Sequence, residues 1–77
     1  MDSIPQRNVH VVPHGDGWDI IHEGAKGERA HFLTQEEAVQ AATVIAQREK
    51  VELLVHGQDG QIRTRASYGR DPRSIRG

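Results

Sequence analysis

VHVVPHGDGWDI, residues 9–20, and VELLVHGQDGQI, residues 51–62, decide the fold of this chain. Each is an apolar run, a turn holding His, Gly and Asp, and a return strand, so each reads as a β-hairpin. Asp16-Gly17 reads as a two-residue type I′ turn, because this pair tolerates the positive φ that both central positions require, and the second hairpin turns at Asp59-Gly60. Strand one is expected to begin near Asn8, and strand two to run from Trp18 to about Glu23. A turn follows over residues 24–27. Residues 29–33 then alternate Ala30 and Phe32 against Arg29, His31 and Leu33, which predicts a short third strand.

The segment between the hairpins carries helix signals. Thr34-Gln35-Glu36-Glu37 is a capping box, in which the Thr34 hydroxyl accepts from the Glu37 amide and Leu33 is placed to pack over the first turn. From Gln35 to about Lys50, Ala38, Ala41, Ala42, Ile45 and Ala46 fall on one stripe, with Glu36, Gln40, Thr43 and Gln47 opposite. Small residues on that stripe imply a close approach to a sheet. Arg48 and Lys50 favour the helix dipole at the C-terminus, and a strand starting at Val51 demands a reversal with almost no loop.

Pairing each hairpin about its turn assigns faces, since side chains alternate along a strand and cross-strand partners share a side. Val9, Val11, Pro13, Trp18 and Ile20 face the alanine stripe, as do Val51, Leu53, Val55, Ile62 and Thr64. The opposite faces carry His10, His14, Asp19 and Glu23 around Val12 and Ile21 on hairpin one, and Arg63 and Arg65 around Leu54 and His56 on hairpin two. One outer face is acidic and histidine-bearing; the other is basic. Aliphatic Val12, Ile21 and Leu54 on a solvent face suggest that a partner covers it, with His10 and His14 part of the same surface. A protein partner or a second copy in an isologous dimer fits, the basic hairpin of one against the acidic hairpin of the other.

Composition sets the bounds. Seventy-seven residues make one domain with a thin core of Val, Ile, Leu and Ala, since the chain has one Trp, one Tyr and one Phe. There is no Cys, which removes disulfides and thiolate metal sites. No apolar run reaches the length of a spanning helix, and MDSIPQRN lacks the regions of a signal peptide, so a cytoplasmic protein without membrane contact is expected. Formal net charge is −1, but it is unevenly distributed. Residues 1–62 hold five basic and ten acidic side chains; residues 63–77 hold Arg63, Arg65, Arg70, Arg73 and Arg76 against Asp71 alone. Arginine suits bidentate contact with phosphate or carboxylate, so this end reads as a nucleic-acid or acidic-protein contact, or as a solubilising tail.

Catalysis and cofactors find little support. No Ser sits in an activated-nucleophile pattern, and one helix on a small sheet seldom builds a water-excluding pocket. No catalytic residue is assigned. His10, His14, Asp19 and Glu23 are metal-ligand types, with His56 and Asp59 a partial echo, yet ligands spread over a flat antiparallel face seldom close a coordination shell, so no metal is assigned. Neither glycine turn precedes a helix that would aim amides at a phosphate, and no cofactor is expected.

The strings VHVVPHGDGWDI, TQEEAVQAA, LLVHGQDGQI and SYGRDP together resemble the bacterial domain-of-unknown-function family 2188, small stand-alone proteins, over residues 8–72. The resemblance implies one β-rich domain of bacterial or phage origin and carries over no activity, cofactor or catalytic residue. Members often end in proline-rich tails, whereas this chain ends in Arg73-Ser74-Ile75-Arg76.

The expectation is an α+β domain over residues 8–69, in the order βββαββ, two hairpins and a short strand packed on one helix. Residues 1–7 are read as an arm and residues 70–77 as an arginine-rich tail. Function is expected to be that of a non-enzymatic interaction module that meets a macromolecular, chiefly protein, partner through the sheet face and basic end. The alternative is a nucleic-acid accessory protein in which the five arginines of residues 63–77 contact backbone phosphates.

Overall fold

A computed structural model describes residues 7–25, 27 and 29–68. The elements are β1 (Val9–His14), β2 (Gly17–His22), β3 (Ala30–Phe32), α1 (Gln35–Glu49), β4 (Glu52–His56) and β5 (Ile62–Ser67), an α+β arrangement in the expected order. All five strands form one sheet, in the order β3-β2-β1-β4-β5. The sheet is antiparallel except at its centre, where β1 and β4 run parallel through Val9–Leu53, His10–Leu54 and Val11–Val55.

α1 covers one face. Ala38, Ala42 and Ala46, one turn apart, are fully buried against Val9, Val11, Trp18, Ile20, Leu53 and Val55. Each lacks a side chain beyond Cβ, so the helix axis sits close to the strands. Thr34 caps the helix, its Oγ1 accepting from the Glu37 amide at 3.1 Å. At the other end Lys50 turns the chain in the left-handed region at φ 61°, and the Lys50 and Val51 amides both donate to Ala46 O. This single-residue reversal delivers Val51 directly into the core. Leu33, expected over the first turn, is 66% exposed instead; the third strand ends at Phe32, and Leu33 turns outward.

Both turns differ from the expected Asp-Gly turns. In hairpin one His14 pairs with Gly17, so the loop is Gly15-Asp16, with φ +60° at Gly15 alone, as a type II′ turn requires. The register moves by two, which preserves the faces. Gly17 is a strand residue, and a Cβ there would overlap the Phe32 carbonyl oxygen, so β3 closes over β2 only because the position is glycine. In hairpin two the loop spans residues 58–60: Gly60 N–H donates to Gly57 O at 2.9 Å and Gly57 N–H to Gln61 O at 2.7 Å. A register shift at Val55/His56 follows and pairs His56 with Ile62. The bulge turns Ile62 off the core face, leaving it 45% exposed.

Candidate functional site

The sheet face away from α1 holds His10, His14, His31 and His56, while His22 lies on the helix side with its Nε2 3.1 Å from Glu49 of α1, and the four-histidine arrangement is the chief chemical feature of the molecule. On β1 and β4, His10 Nδ1 and His56 Nε2 face each other at 2.9 Å. His10 Nε2 reaches Glu23 Oε2 at 2.9 Å, and His56 Nδ1 donates to Gly60 O at 3.0 Å. A line of contacts therefore runs from the end of β2, across two rings, into the β4–β5 turn. The hydrogen bond from His10 holds the Glu23 carboxyl below its ordinary value against the opposing effect of burial. Asn8 fixes the same corner: its Oδ1 accepts from the Glu52 amide at 3.0 Å, its carbonyl accepts from the Glu23 amide, and its side chain helps to hold the Glu23 pKa down.

A second cluster lies toward β3. Asp19, expected on an exposed acidic face, is buried, its side chain 2% exposed. One oxygen accepts from His31 Nδ1 at 2.6 Å; the other meets Arg29 Nε at 2.6 Å. His31 Nε2 continues to Asp16 Oδ1 at 2.8 Å, tying β3 to the β1–β2 turn. His14 stands 3.9 Å from Asp19. Burial alone raises the Asp19 pKa, but the His31 hydrogen bond and the charges of His14 and Arg29 outweigh it and bring it below the ordinary value. The hydrogen bonds to Asp19 and Asp16 raise that of His31.

These contacts revise the surface expected from sequence. Leu54 is 5% exposed and is no part of an open apolar patch. It lies on the central strand β4, with His10 and Arg65 as its register neighbours on that face. Val12 and Ile21 are half-buried, His10 is half-buried and His14 is exposed. The acidic groups of hairpin one are committed to His10, His31 and Arg29 within the chain, so they offer little free charge to a basic hairpin of another copy. Arg63 and Arg65 are exposed on the edge strand β5, and Arg63 Nη2 pairs with Asp59 Oδ2 at 2.9 Å. Arg70, Arg73 and Arg76 lie outside the described residues, as do most of the N-terminal arm and the whole 70–77 tail.

The geometry also bears on chemistry. Both ring nitrogens of His10, His56 and His31 are engaged by neighbouring groups, which leaves none of these rings an open nitrogen for a substrate proton. Among the described residues no three His, Cys, Asp or Glu side chains converge as a metal site. The groove lined by Ile20, His22, Arg29, Ala30 and Ile45 is open to solvent. No helix of the described residues is long and apolar enough to cross a membrane. Sequence reasoning missed Asn8, Asp16 and Gly60 as participants; the Asp16 and Gly60 contacts depend on turn geometry that the Asp-Gly reading misplaced.

Residues 9–68 match the model of a family described as "Uncharacterized protein conserved in bacteria (DUF2188)". The chain is also 35% identical over 67 residues to "Uncharacterized protein YdaT" of Bacillus subtilis (strain 168), covering 87% of this chain and 45% of that protein. It thus spans about half the length of the curated relative it matches. No solved structure matches. The chain belongs to the DUF2188 family.

Proposed function

We propose that this DUF2188 member is a cytoplasmic, non-enzymatic interaction module that binds a protein partner through its uncovered sheet face and its basic C-terminal end. One observation carries the reading: among the described residues a single helix covers one face of a five-stranded sheet and leaves β5, six residues long, as an open edge bearing Arg63 and Arg65. Tyr68 N–H donates to Val51 O, so by antiparallel alternation Thr64 and Ala66 turn their amides to β4 while Arg65 and Ser67 turn theirs outward. Outward amides beside two cationic side chains suit an extended, acidic protein segment added as a further strand. The opposite edge, β3, has only three residues and is a poorer template. A second copy of the chain is the other protein partner this surface accommodates, with Val12, Ile21, His10 and His14 as contact residues and Leu54 beneath them.

Nucleic acid is the second reading, favoured by the exposure of Arg65 on the strand that leads into Arg70, Arg73 and Arg76. Such binding would follow backbone charge and weaken steeply with salt.

A photoreactive amino acid placed at position 12, 65 or, as a control, 47 on the exposed side of α1 tests both readings in bacterial extract. Protein adducts formed from positions 12 and 65 but not 47 support the module. Nuclease-sensitive adducts from position 65 move nucleic acid to first place. Adducts equal at all three positions, or none, overturn both.

A further inference from the structure

We propose that His10 and His56 form a binding site for one shared proton, so that the pair carries a single positive charge between the Glu23 carboxylate and the Gly60 carbonyl. The inference is independent of which partner the module meets. It follows from counting hydrogens along the three contacts that join these four groups. Gly60 O can only accept, so His56 Nδ1 carries a hydrogen. The ionised Glu23 carboxylate can only accept, so His10 Nε2 carries a second. The remaining gap, His10 Nδ1 to His56 Nε2 at 2.9 Å, closes with one hydrogen and no other number.

Two hydrogens on the pair would leave bare lone pairs facing each other across that gap. Four would set two N–H groups against each other. Three satisfies every contact, and the hydrogen in the middle can belong to either ring. Glu23 supplies the countercharge and sits nearest His10, which favours the imidazolium there. The other charged groups of this face are Glu52 on β4, Arg65 on β5 and His14 on β1; Asp19 is engaged by His31 and Arg29, and Arg63 by Asp59. α1 packs on the opposite face and contributes no charge to the pair.

The site spans the parallel β1–β4 junction and holds the β4–β5 turn through Gly60.

Ring nitrogen NMR of the full chain labelled with 15N-histidine is the direct test. At pH 6.5 we expect His56 Nδ1 and His10 Nε2 to be protonated, with the two facing nitrogens at shifts intermediate between protonated and bare. Two bare facing nitrogens, or two full imidazolium rings at that pH, overturn the proposal. Glu23→Gln keeps an acceptor but removes the charge, and it should remove the shared hydrogen at the same pH. His10→Gln should lower amide protection at Gly57 and Gly60 about tenfold; unchanged protection in that variant would overturn the link to the turn.

Discussion

Asp19 on β2 and His31 on β3 are joined at 2.6 Å, and the carboxylate of this pair is among the most deeply buried side chains of the chain. The pair crosses from a well-packed strand to an edge strand of three residues, where there is little else to hold β3 in register. Asp19→Asn keeps the shape and removes the charge, leaving Arg29 without its countercharge and His31 with Asp16 alone. Because both cationic partners are partly exposed, we expect a loss of about 2 kcal/mol, below the range for a fully buried pair, measured by urea unfolding.

The same pair gives the stability curve two limbs. His31 has a raised pKa, through its bonds to Asp19 and Asp16, so its contribution is complete below the ordinary histidine value of 6.5 and is lost as pH rises through the folded-state value. Asp19 has a lowered pKa, so its contribution is present above 3.8 and is lost as pH falls through the folded-state value. Stability attributable to the cluster should therefore be greatest between pH 3.8 and 6.5. In denaturant melts from pH 5.5 to 8.5, His31→Gln should flatten the alkaline decline; an unchanged slope would refute the assignment.

Helix-to-sheet spacing is set by Ala42, fully buried midway along α1. Ala42→Leu should push the helix off the sheet and cost about 1–3 kcal/mol, whereas Val44→Ala on the exposed side should be nearly neutral. Thermal melts of the two variants compare them directly.

Gly17→Ala should be more damaging than Gly15→Ala. At Gly17 the added methyl meets Phe32 O, backbone that cannot yield without moving β3, whereas the space around Gly15 is open and only its positive φ resists, at a cost of roughly 1–2 kcal/mol. Proton–deuterium exchange at β3 should rise in the first variant only.

Lys50→Gly is expected to stabilise the chain. Lys50 is the one non-glycine residue at positive φ among those described, and glycine there removes up to about 1 kcal/mol of strain at the helix end. A raised midpoint in urea, with unchanged m, is the expected reading.

The hairpins, helix limits, cap and core face were legible because each rests on local periodicity or turn chemistry. Val9, Val11, Trp18 and Ile20 alternate as a one-sided strand should, and they lie where the alternation puts them. Alternation put Leu54 on the correct face, but its exposure was misjudged: β4 lies between β1 and β5, and the flanking side chains of His10 and Arg65 shield Leu54 on a face that no helix covers. The parallel joint had no sequence signal, since it depends on how α1 returns the chain. The Asp19 cluster was half visible: residue types and face were apparent, but not that Arg29 and His31, twelve or fewer positions on, would close over the carboxylate.

The parallel ladder of β1 and β4 is only three residue pairs long, yet it is the seam between a three-stranded half, residues 9–32, and a two-stranded half, residues 52–67. Each half can zip from its own turn, while the seam joins positions 44 residues apart, with Asn8 Oδ1 and the Glu52 amide as its outer clasp. Closing so long a loop costs entropy before any seam contact repays it. Folding of this chain should thus be timed by seam closure: changes at Val9, Val11 or Asn8 would slow refolding, and changes within either turn would chiefly speed unfolding.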